Sequence, residues 1–253
     1  MKKVFLTILA VVSMTALVCS CEKDNKNNGK QNNGDETSEL VTIDGKFTDW
    51  AALKDVAVSE VPDGLESYCN MLVMKATADA DNVYLYFEYQ LAEDQLEAPF
   101  DIFFNADGNA GTGFVSWIWS KEGCGWDYLL ETEGGILVDG TGIADLSDMN
   151  IYMAETYMGA DEATGEQVQL DGWASGAKQK KLELKDFAEA KGEVKNGVAM
   201  FEVAILRSVI NATKKGNVGI GITISDAGWN TMGILPIDET GVGTAEFLQV
   251  ALP

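Results

Sequence analysis

The chain has 253 residues, and its 40 acidic and 18 basic side chains give a formal net charge of −22, with no histidine present. The lack of histidine excludes Ser-His-Asp and Cys-His catalysis and histidine-ligated zinc or haem. So acidic a chain is repelled by phosphate backbones, which argues against a nucleic-acid partner. A hydrophobic content of 46% suffices for a packed core, and 26 glycines with 4 prolines favour strands and hairpins.

The N-terminus has the pattern of a secretory signal peptide, predicted over residues 1–20. Lys2 and Lys3 precede an apolar stretch over residues 4–18, which is short for a membrane-spanning helix. The sequence around Cys21 resembles a bacterial lipoprotein box, in which the cysteine after a small residue is lipidated. The resemblance implies a stable lipid anchor at Cys21, with a plain signal peptide as the alternative.

Residues 21–39 are expected to hold this cysteine and a flexible tether, because residues 22–39 include no aliphatic or aromatic side chain. An asparagine-rich tether that begins with Glu22 looks like those of surface lipoproteins of the Bacteroides group. That resemblance implies a lipid-anchored protein of the outer membrane at the cell surface. The lipid would then be its only contact with the membrane.

Apolar and polar residues alternate with period two along much of residues 40–253, and turn residues separate the runs. The clearest runs are 71–78, 83–89, 100–104 and 218–225, and residues 79–82 predict a hairpin between the first two. Weaker alternation marks 114–120, 126–132, 150–156, 167–171, 180–184, 199–205, 230–235 and 246–252. About a dozen short strands predict one all-β domain over residues 40–253, a two-sheet antiparallel β-sandwich or a barrel, and the sandwich is favoured.

The alternation also assigns side chains to faces of the strands. Leu72 and Met74 are expected to share a face. The next run has two predicted faces, with Val83, Leu85 and Phe87 on one and Tyr84 and Tyr86 on the other. Helix is scarce, and only two short helical turns are predicted, over residues 185–191 and 207–215.

Several segments resemble the family 9 carbohydrate-binding module and DOMON-like sandwiches, in the same order from residue 43 to about 252. They are 43–50 (IDGKFTDW), 81–87 (DNVYLYF), 101–105 (DIFFN) with its acidic loop, 126–131 (WDYLLE), and 202–205 (EVAI) with 219–226. The resemblance implies a β-sandwich that binds a polysaccharide or oligosaccharide. The same fold hosts many binding roles, so the segments indicate the fold more strongly than the function.

The chain has six tryptophans, and exposed tryptophans are candidates for stacking on the apolar faces of sugar rings. Trp117 and Trp119 would share a strand face about 6.6 Å apart. Trp126 and Asp127 follow nearby and are included in the predicted contact region. The alternative is that these tryptophans belong to the core.

Trp229 directly follows an alternating strand and is expected to lie in a loop. The family resemblance implies that a tryptophan near this position forms one side of an aromatic clamp on a terminal sugar. Residues 95–99, which would carry the other side, include no aromatic residue, so Trp117 or Trp119 is the candidate substitute. Asp127 or Asn230 is expected to hydrogen-bond sugar hydroxyls.

Asn105, Asp107 and Asn109 alternate like the first ligands of a calcium-binding loop. The match to an EF-hand fails, because Ala110 stands at its turn glycine and Ser116 at its bidentate glutamate. A glycine-rich hairpin loop is the alternative. Calcium is nevertheless the candidate cofactor, since an acidic sandwich without histidine offers mainly hard oxygen ligands.

The nearest carboxylate pairs along the chain do not fit glycoside hydrolysis. Asp127 and Glu131 would lie about 13 Å apart on a strand, whereas retaining enzymes need about 5 Å and inverting enzymes about 6.5–9.5 Å. Glu131 and Glu133 would lie about 6.6 Å apart, but two exposed acids this close on one strand are usually solvated side chains. A pair assembled across strands is left open, and the chain is predicted not to be an enzyme.

Cys69 and Cys124 are the cysteines of the predicted domain. In an oxidising envelope they are expected either to form a disulfide or to remain two buried thiols.

The favoured function is a non-catalytic lipoprotein of the bacterial envelope that stacks a glycan on exposed tryptophans. The alternative is a structural or protein-interaction subunit of an envelope complex. A glycoside hydrolase that uses Asp/Glu pairs is the third hypothesis.

Overall fold

The structure, a computed structural model, describes residues 39–65, 69–92, 99–109, 113, 119, 125–132, 149–153, 158–160, 167–169, 178–180, 188–238 and 246–253. These residues form fourteen strands. They are β1 (Ala57–Glu60), β2 (Met71–Ala78), β3 (Asn82–Gln90), β4 (Phe100–Asn105), β5 (Tyr128–Thr132), β6 (Met149–Met153), β7 (Met158–Ala160), β8 (Gln167–Gln169), β9 (Lys178–Lys180), β10 (Ala188–Lys195), β11 (Val198–Leu206), β12 (Gly216–Ser225), β13 (Thr231–Leu235) and β14 (Leu248–Leu252).

The strands form two large antiparallel sheets, which confirms the predicted two-sheet antiparallel β-sandwich. The five-stranded sheet has the order β1-β2-β3-β11-β10. The seven-stranded sheet has the order β13-β12-β4-β5-β6-β9, and β14 also pairs with β12. Strands β7 and β8 form a separate two-stranded ribbon.

The two predicted helical turns are not found in the described residues. Strand β10 begins at Ala188, within the first of them, and residues 207–211 form turns without a helix. Alanine, glutamate and lysine favour helices in isolation, but in β10 the burial alternates with period two. The described helical structure is one 3₁₀ turn, Asp49–Ala51. No helix among the described residues has the length and apolar character needed to cross a membrane.

Aromatic side chains from both sheets meet in the core between them. Phe87 of β3 stacks on Phe201 of β11 with ring centroids 5.1 Å apart. Phe100 of β4 meets these two rings edge-on at 5.1 and 5.4 Å. All three rings are fully buried, and each such pair adds about 0.5–1.5 kcal/mol beyond its area burial. This cluster joins the two sheets.

The predicted hairpin at residues 79–82 is confirmed. Asp79 donates its backbone N–H to the carbonyl of Asn82 at 3.0 Å. Its Oδ1 accepts the N–H groups of Asp81 and Asn82 at 2.9 and 2.7 Å. This turn connects β2 and β3.

The two predicted faces of β3 are also confirmed, since Val83, Leu85 and Phe87 belong to the core between the sheets and Tyr84 and Tyr86 to a cluster on the opposite face.

The expected pairing of Leu72 and Met74 on one face is wrong. A bulge between Met71 and Val73 adds one residue to β2, so that Leu72 turns outward while Met71 and Met74 are both buried.

The outer face of the five-stranded sheet is covered by residues 39–56, which we call the N-terminal strap. Trp50 of the strap packs against Tyr86 with ring centroids 5.8 Å apart. Gly45 donates its backbone N–H to Oε1 of Glu202, a fully buried residue of β11. Burial raises the pKa of Glu202, and hydrogen bonds from the backbone of Gly45 and Asp44 oppose that rise. The strap is thus held by both packing and a buried carboxylate.

The outer face of the seven-stranded sheet carries a second aromatic cluster. Phe103 of β4 contacts Trp119 and Trp126, each at 5.6 Å between ring centroids, and Trp119 contacts Phe247 at 4.7 Å. Gly221 of β12 makes room for this cluster, because a β-carbon there would lie 2.5 Å from the ring of Trp119. The absence of a side chain at Gly221 is therefore a packing requirement.

The substitution Gly221→Ala is expected to lower the free energy of unfolding by about 1–3 kcal/mol, because the added methyl group overpacks the Trp119 ring. Urea denaturation followed by circular dichroism measures the change. Val58→Ala is the control, because Val58 is exposed on β1, and it should stay within about 0.5 kcal/mol of the parent. Equal stability of the Gly221→Ala variant and the parent would contradict the described packing.

Candidate functional site

The loop between β12 and β13 displays Trp229 on the surface. Its side chain is 51% exposed, and its backbone has a φ of 63°. Such a positive φ is a rare conformation for a bulky residue and costs of order 1–3 kcal/mol, which the surrounding structure must supply. The predicted loop position of Trp229 is confirmed.

Asp226 holds this loop in place. Its Oδ1 accepts the backbone N–H groups of Gly228 and Asn230 at 2.8 and 2.9 Å. The side-chain amide of Asn230 donates to Oδ2 at 2.9 Å, and Trp229 donates its N–H to the Asp226 carbonyl at 2.9 Å. The bond from the Asn230 side chain is the main reason why the pKa of Asp226 is lowered. The amide nitrogen of Asn230 therefore serves the loop, and its predicted contact with sugar stays a prediction.

Three polar residues form a row across the outer face of the seven-stranded sheet. Thr223 of β12, Asp101 of β4 and Glu131 of β5 are direct partners in register on adjacent strands. Their neighbours Ile102 and Leu130 belong to the core, so alternation places the three polar side chains on the opposite face. We call these three residues the polar row.

The polar row lies near the end of the sheet from which the Trp229 loop leaves. Strand β12 ends at Ser225, whose N–H donates to the carbonyl of Pro99 at 2.8 Å, just before β4 begins. A strand spacing of about 4.8 Å places Thr223 and Glu131 about 10 Å apart. The loop and the row therefore border the same end of the sandwich.

Asp101 is the unusual member of the polar row. Its pKa is raised well above the usual value, first by burial and then by the carboxylate of Glu131, while a hydrogen bond from Thr223 acts in the opposite direction. Its Oδ1 is buried and accepts no hydrogen bond in the part of the chain that the structure describes. A carboxyl group in this setting stays neutral to higher pH than an ordinary aspartate.

Asp101 is not among the site residues that the sequence predicts. A visible signal was present, because Asp101 is the one charged residue in the otherwise apolar run 100–104. Its partners Glu131 and Thr223 are distant in sequence, and only the strand register brings them to it.

The predicted stacking roles of Trp119 and Trp126 are wrong. Both side chains are fully buried, because they cover the outer face of the seven-stranded sheet against Phe103. No ring face is left open to a sugar at either position. Trp117 lies outside the described residues.

Asp127 has a structural role in the loop after β4, and its predicted hydrogen bond to a sugar hydroxyl stays a prediction. Its Oδ2 accepts the backbone N–H groups of Ala106 and Asp107 at 2.8 and 3.3 Å. The carboxylate therefore holds the loop that follows β4.

The three predicted calcium ligands lie in different environments. Asn105 is buried at the end of β4, while Asp107 and Asn109 are exposed in the following turn. Oδ1 of Asp107 accepts the backbone N–H of Asn109 at 2.7 Å. No group of three or more acidic or cysteine side chains suited to a metal ion occurs in the described ranges. Calcium binding stays a prediction.

Cys69 is a free, buried thiol in the structure. Its Sγ donates to the carbonyl of Ile234 at 3.4 Å, and burial raises its pKa. For this residue the structure has the buried thiol rather than the disulfide. Cys124, like Cys21, lies outside the described residues.

A cleft of about 180 Å³ opens over the outer face of the five-stranded sheet. Its lining residues include Ala188, Ala204, Glu39 and Glu189. The cleft includes none of the site residues that the sequence predicted.

No protein-family model matches the chain, and no curated protein matches it. Among solved structures, the chain is similar to a family 9 carbohydrate-binding module from Caldicellulosiruptor kristjanssonii in complex with cellotriose, at 11% identity and a TM-score of 0.36, over 84% of this chain and 89% of that chain. It is also similar to a family 9 module from the same organism in complex with glucose, at 11% identity and a TM-score of 0.36, over 84% and 91%. Both structures are of the family that the sequence segments resemble.

The substitution Asp226→Ala is expected to increase the motion of the Trp229 indole at neutral pH, because it removes the four hydrogen bonds that the carboxylate accepts within the loop. In the parent, the lowered pKa keeps the Asp226 carboxylate ionised, and these hydrogen bonds intact, at and above the pH at which an ordinary aspartate titrates. They are lost as the pH falls through the lowered pKa.

Relaxation of the Trp229 indole N–H signal in NMR measures this motion. Glu60→Ala is the matched control, because Glu60 is an exposed acid on β1. A rigid indole in the Asp226→Ala variant would show that Asp226 does not hold the loop.

Proposed function

We propose that the chain is a non-catalytic carbohydrate-binding protein that stacks a glycan on Trp229. The observation that carries this proposal is the exposure of Trp229. Of the four tryptophans described, it is 51% exposed, whereas Trp50, Trp119 and Trp126 are at most 4% exposed. A hydrogen-bonded loop holds this indole outward in a backbone conformation that costs free energy. Packing does not explain that arrangement.

The chemistry around Trp229 suits a sugar. A flat indole offers its face to the C–H groups of a pyranose ring, and the half-buried Glu131 supplies a carboxylate group at the same end of the sheet. The formal charge of −22 disfavours acidic glycans. The ligand we propose is therefore a neutral polysaccharide or oligosaccharide.

The substitution Trp229→Ala is expected to weaken glycan binding by about tenfold or more, since loss of a central aromatic contact costs about 2 kcal/mol. Isothermal titration calorimetry against a panel of neutral oligosaccharides measures the affinity. Trp229→Phe should retain part of the binding, because a smaller ring face remains.

Leu206→Ala is the control, because Leu206 is exposed away from the loop, at the cleft over the five-stranded sheet. Unchanged affinity in the Trp229→Ala variant would remove Trp229 from the site. If no glycan binds the parent, the alternative of a structural or protein-interaction subunit is favoured.

A specific observation favours glycoside hydrolysis as the second candidate. Asp101 and Glu131 are direct cross-strand partners, and the pKa of Asp101 is raised first by burial and then by the carboxylate of Glu131. Facing side chains on neighbouring strands have β-carbons about 4.5–5.5 Å apart, close to the spacing of a retaining pair. Burial of Asp101 Oδ1 opposes this role. Release of reducing sugar by the parent, lost in Asp101→Asn, would support hydrolysis and contradict the non-catalytic proposal.

The proposed location is the outer face of the outer membrane, with a lipid on Cys21. The apolar residues 4–18, Ser20 before the cysteine and the polar residues 22–39 support this proposal. Labelled palmitate should be incorporated into the parent and into Cys19→Ser, and it should be lost in Cys21→Ser. Incorporation into Cys21→Ser would overturn the assignment of the anchor.

A further inference from the structure

Strand β10 is a long, regular edge strand. It runs from Ala188 to Lys195 and pairs with β11 over all eight residues without a bulge. At its other side it has no partner strand among the described residues, because it ends the order β1-β2-β3-β11-β10. The opposite edge strand, β1, has only four residues. A long edge without proline or bulge is a template for pairing with another strand.

The side chains of β10 are sorted by face. The outward face carries four exposed charges of alternating sign, Glu189, Lys191, Glu193 and Lys195. The inward positions hold small or aliphatic residues, and Ala190 and Val194 among them are partly buried against the core.

We propose that β10 pairs with β10 of a second copy of this chain, antiparallel and centred on Gly192. A two-fold axis at Gly192 places Glu189 opposite Lys195 and Lys191 opposite Glu193. Each outward charge then faces an opposite charge on the other copy. The two five-stranded sheets become one continuous sheet across the dimer.

The charges select this register over its neighbours. A slip by one residue would place outward side chains opposite inward ones at the two-fold axis, so the next registers with the correct faces are centred on Lys191 or Glu193. A centre at Lys191 opposes Lys191 with itself and Glu189 with Glu193. A centre at Glu193 likewise pairs Glu193 with itself and Lys191 with Lys195. Like charges directly opposite each other destabilise a strand pair.

The inward face supports the same register. Ala190 meets Val194 of the other copy, and Gly192 meets Gly192. Pairing would therefore cover apolar side chains that one copy leaves partly exposed at the end of its core. A single strand pair buries less surface than a standard interface of about 1,600 Å², so the expected dimer is weak and depends on concentration.

Sedimentation velocity on the full chain over a wide concentration range tests this dimer. The parent is expected to change from monomer to dimer in the micromolar range. Lys191→Glu and Glu193→Lys should each weaken association by about tenfold or more, because each change opposes like charges twice. The double variant Lys191→Glu with Glu193→Lys should restore association to within about threefold of the parent.

A cross-link tests the centre of the register independently. Facing residues have Cα atoms about 4.5–5.5 Å apart, within the range that a disulfide spans. Gly192→Cys should therefore form a disulfide-linked dimer under oxidising conditions. Glu189→Cys should form no more disulfide-linked dimer than the parent, because residue 189 faces Lys195 of the other copy. A parent that stays monomeric at high concentration, or single charge variants that associate as tightly as the parent, would overturn the proposal.

Discussion

Each large sheet of this sandwich is covered on its inner face and over part of its outer face, and this constraint governs how the chain uses its largest side chains. The inner faces share the aromatic core around Phe87. The outer faces are covered separately, one by the N-terminal strap with Trp50 and the other by the cluster of Trp119 and Trp126. Antiparallel sheets commonly leave one face to water. Because these three tryptophans are buried against the outer faces of the sheets, the exposure of Trp229 requires a different explanation.

The strands were largely predictable, because alternation is a local property. Runs such as Met71–Ala78 and 218–225 show it within a few residues. The orientation of Leu72 was not predictable, since the bulge depends on how β2 pairs with β3. Strand β10 was mistaken for a helical turn because its alanine, glutamate and lysine residues favour helices locally. Pairing with β11 overrides that preference. The local sequence of β10 does not indicate that it has a partner strand.

The candidate site was predictable only where a single loop forms it. The loop position of Trp229 follows from its place after an alternating strand. The burial of Trp119 depends on Gly221, which is distant in sequence and whose missing β-carbon admits the ring. Alternation states which residues share a face, but it does not state what covers that face. Asp101 illustrates the same limit, because its pKa is raised first by burial and then by Glu131, and neither its burial nor this partner can be read from the local sequence.

The N-terminal strap also determines how the domain carries mechanical load. Tension on the chain before Glu39 reaches the strap before any strand, because the strap precedes β1. There the load is borne by the hydrogen bond from Gly45 to Glu202 and by the packing of Trp50 on Tyr86. These contacts are made by side chains and by an isolated hydrogen bond, whereas a continuous ladder joins β3 to β11 over nine residue pairs. We therefore expect that pulling from this end detaches the strap from the sheet before it separates β3 from β11.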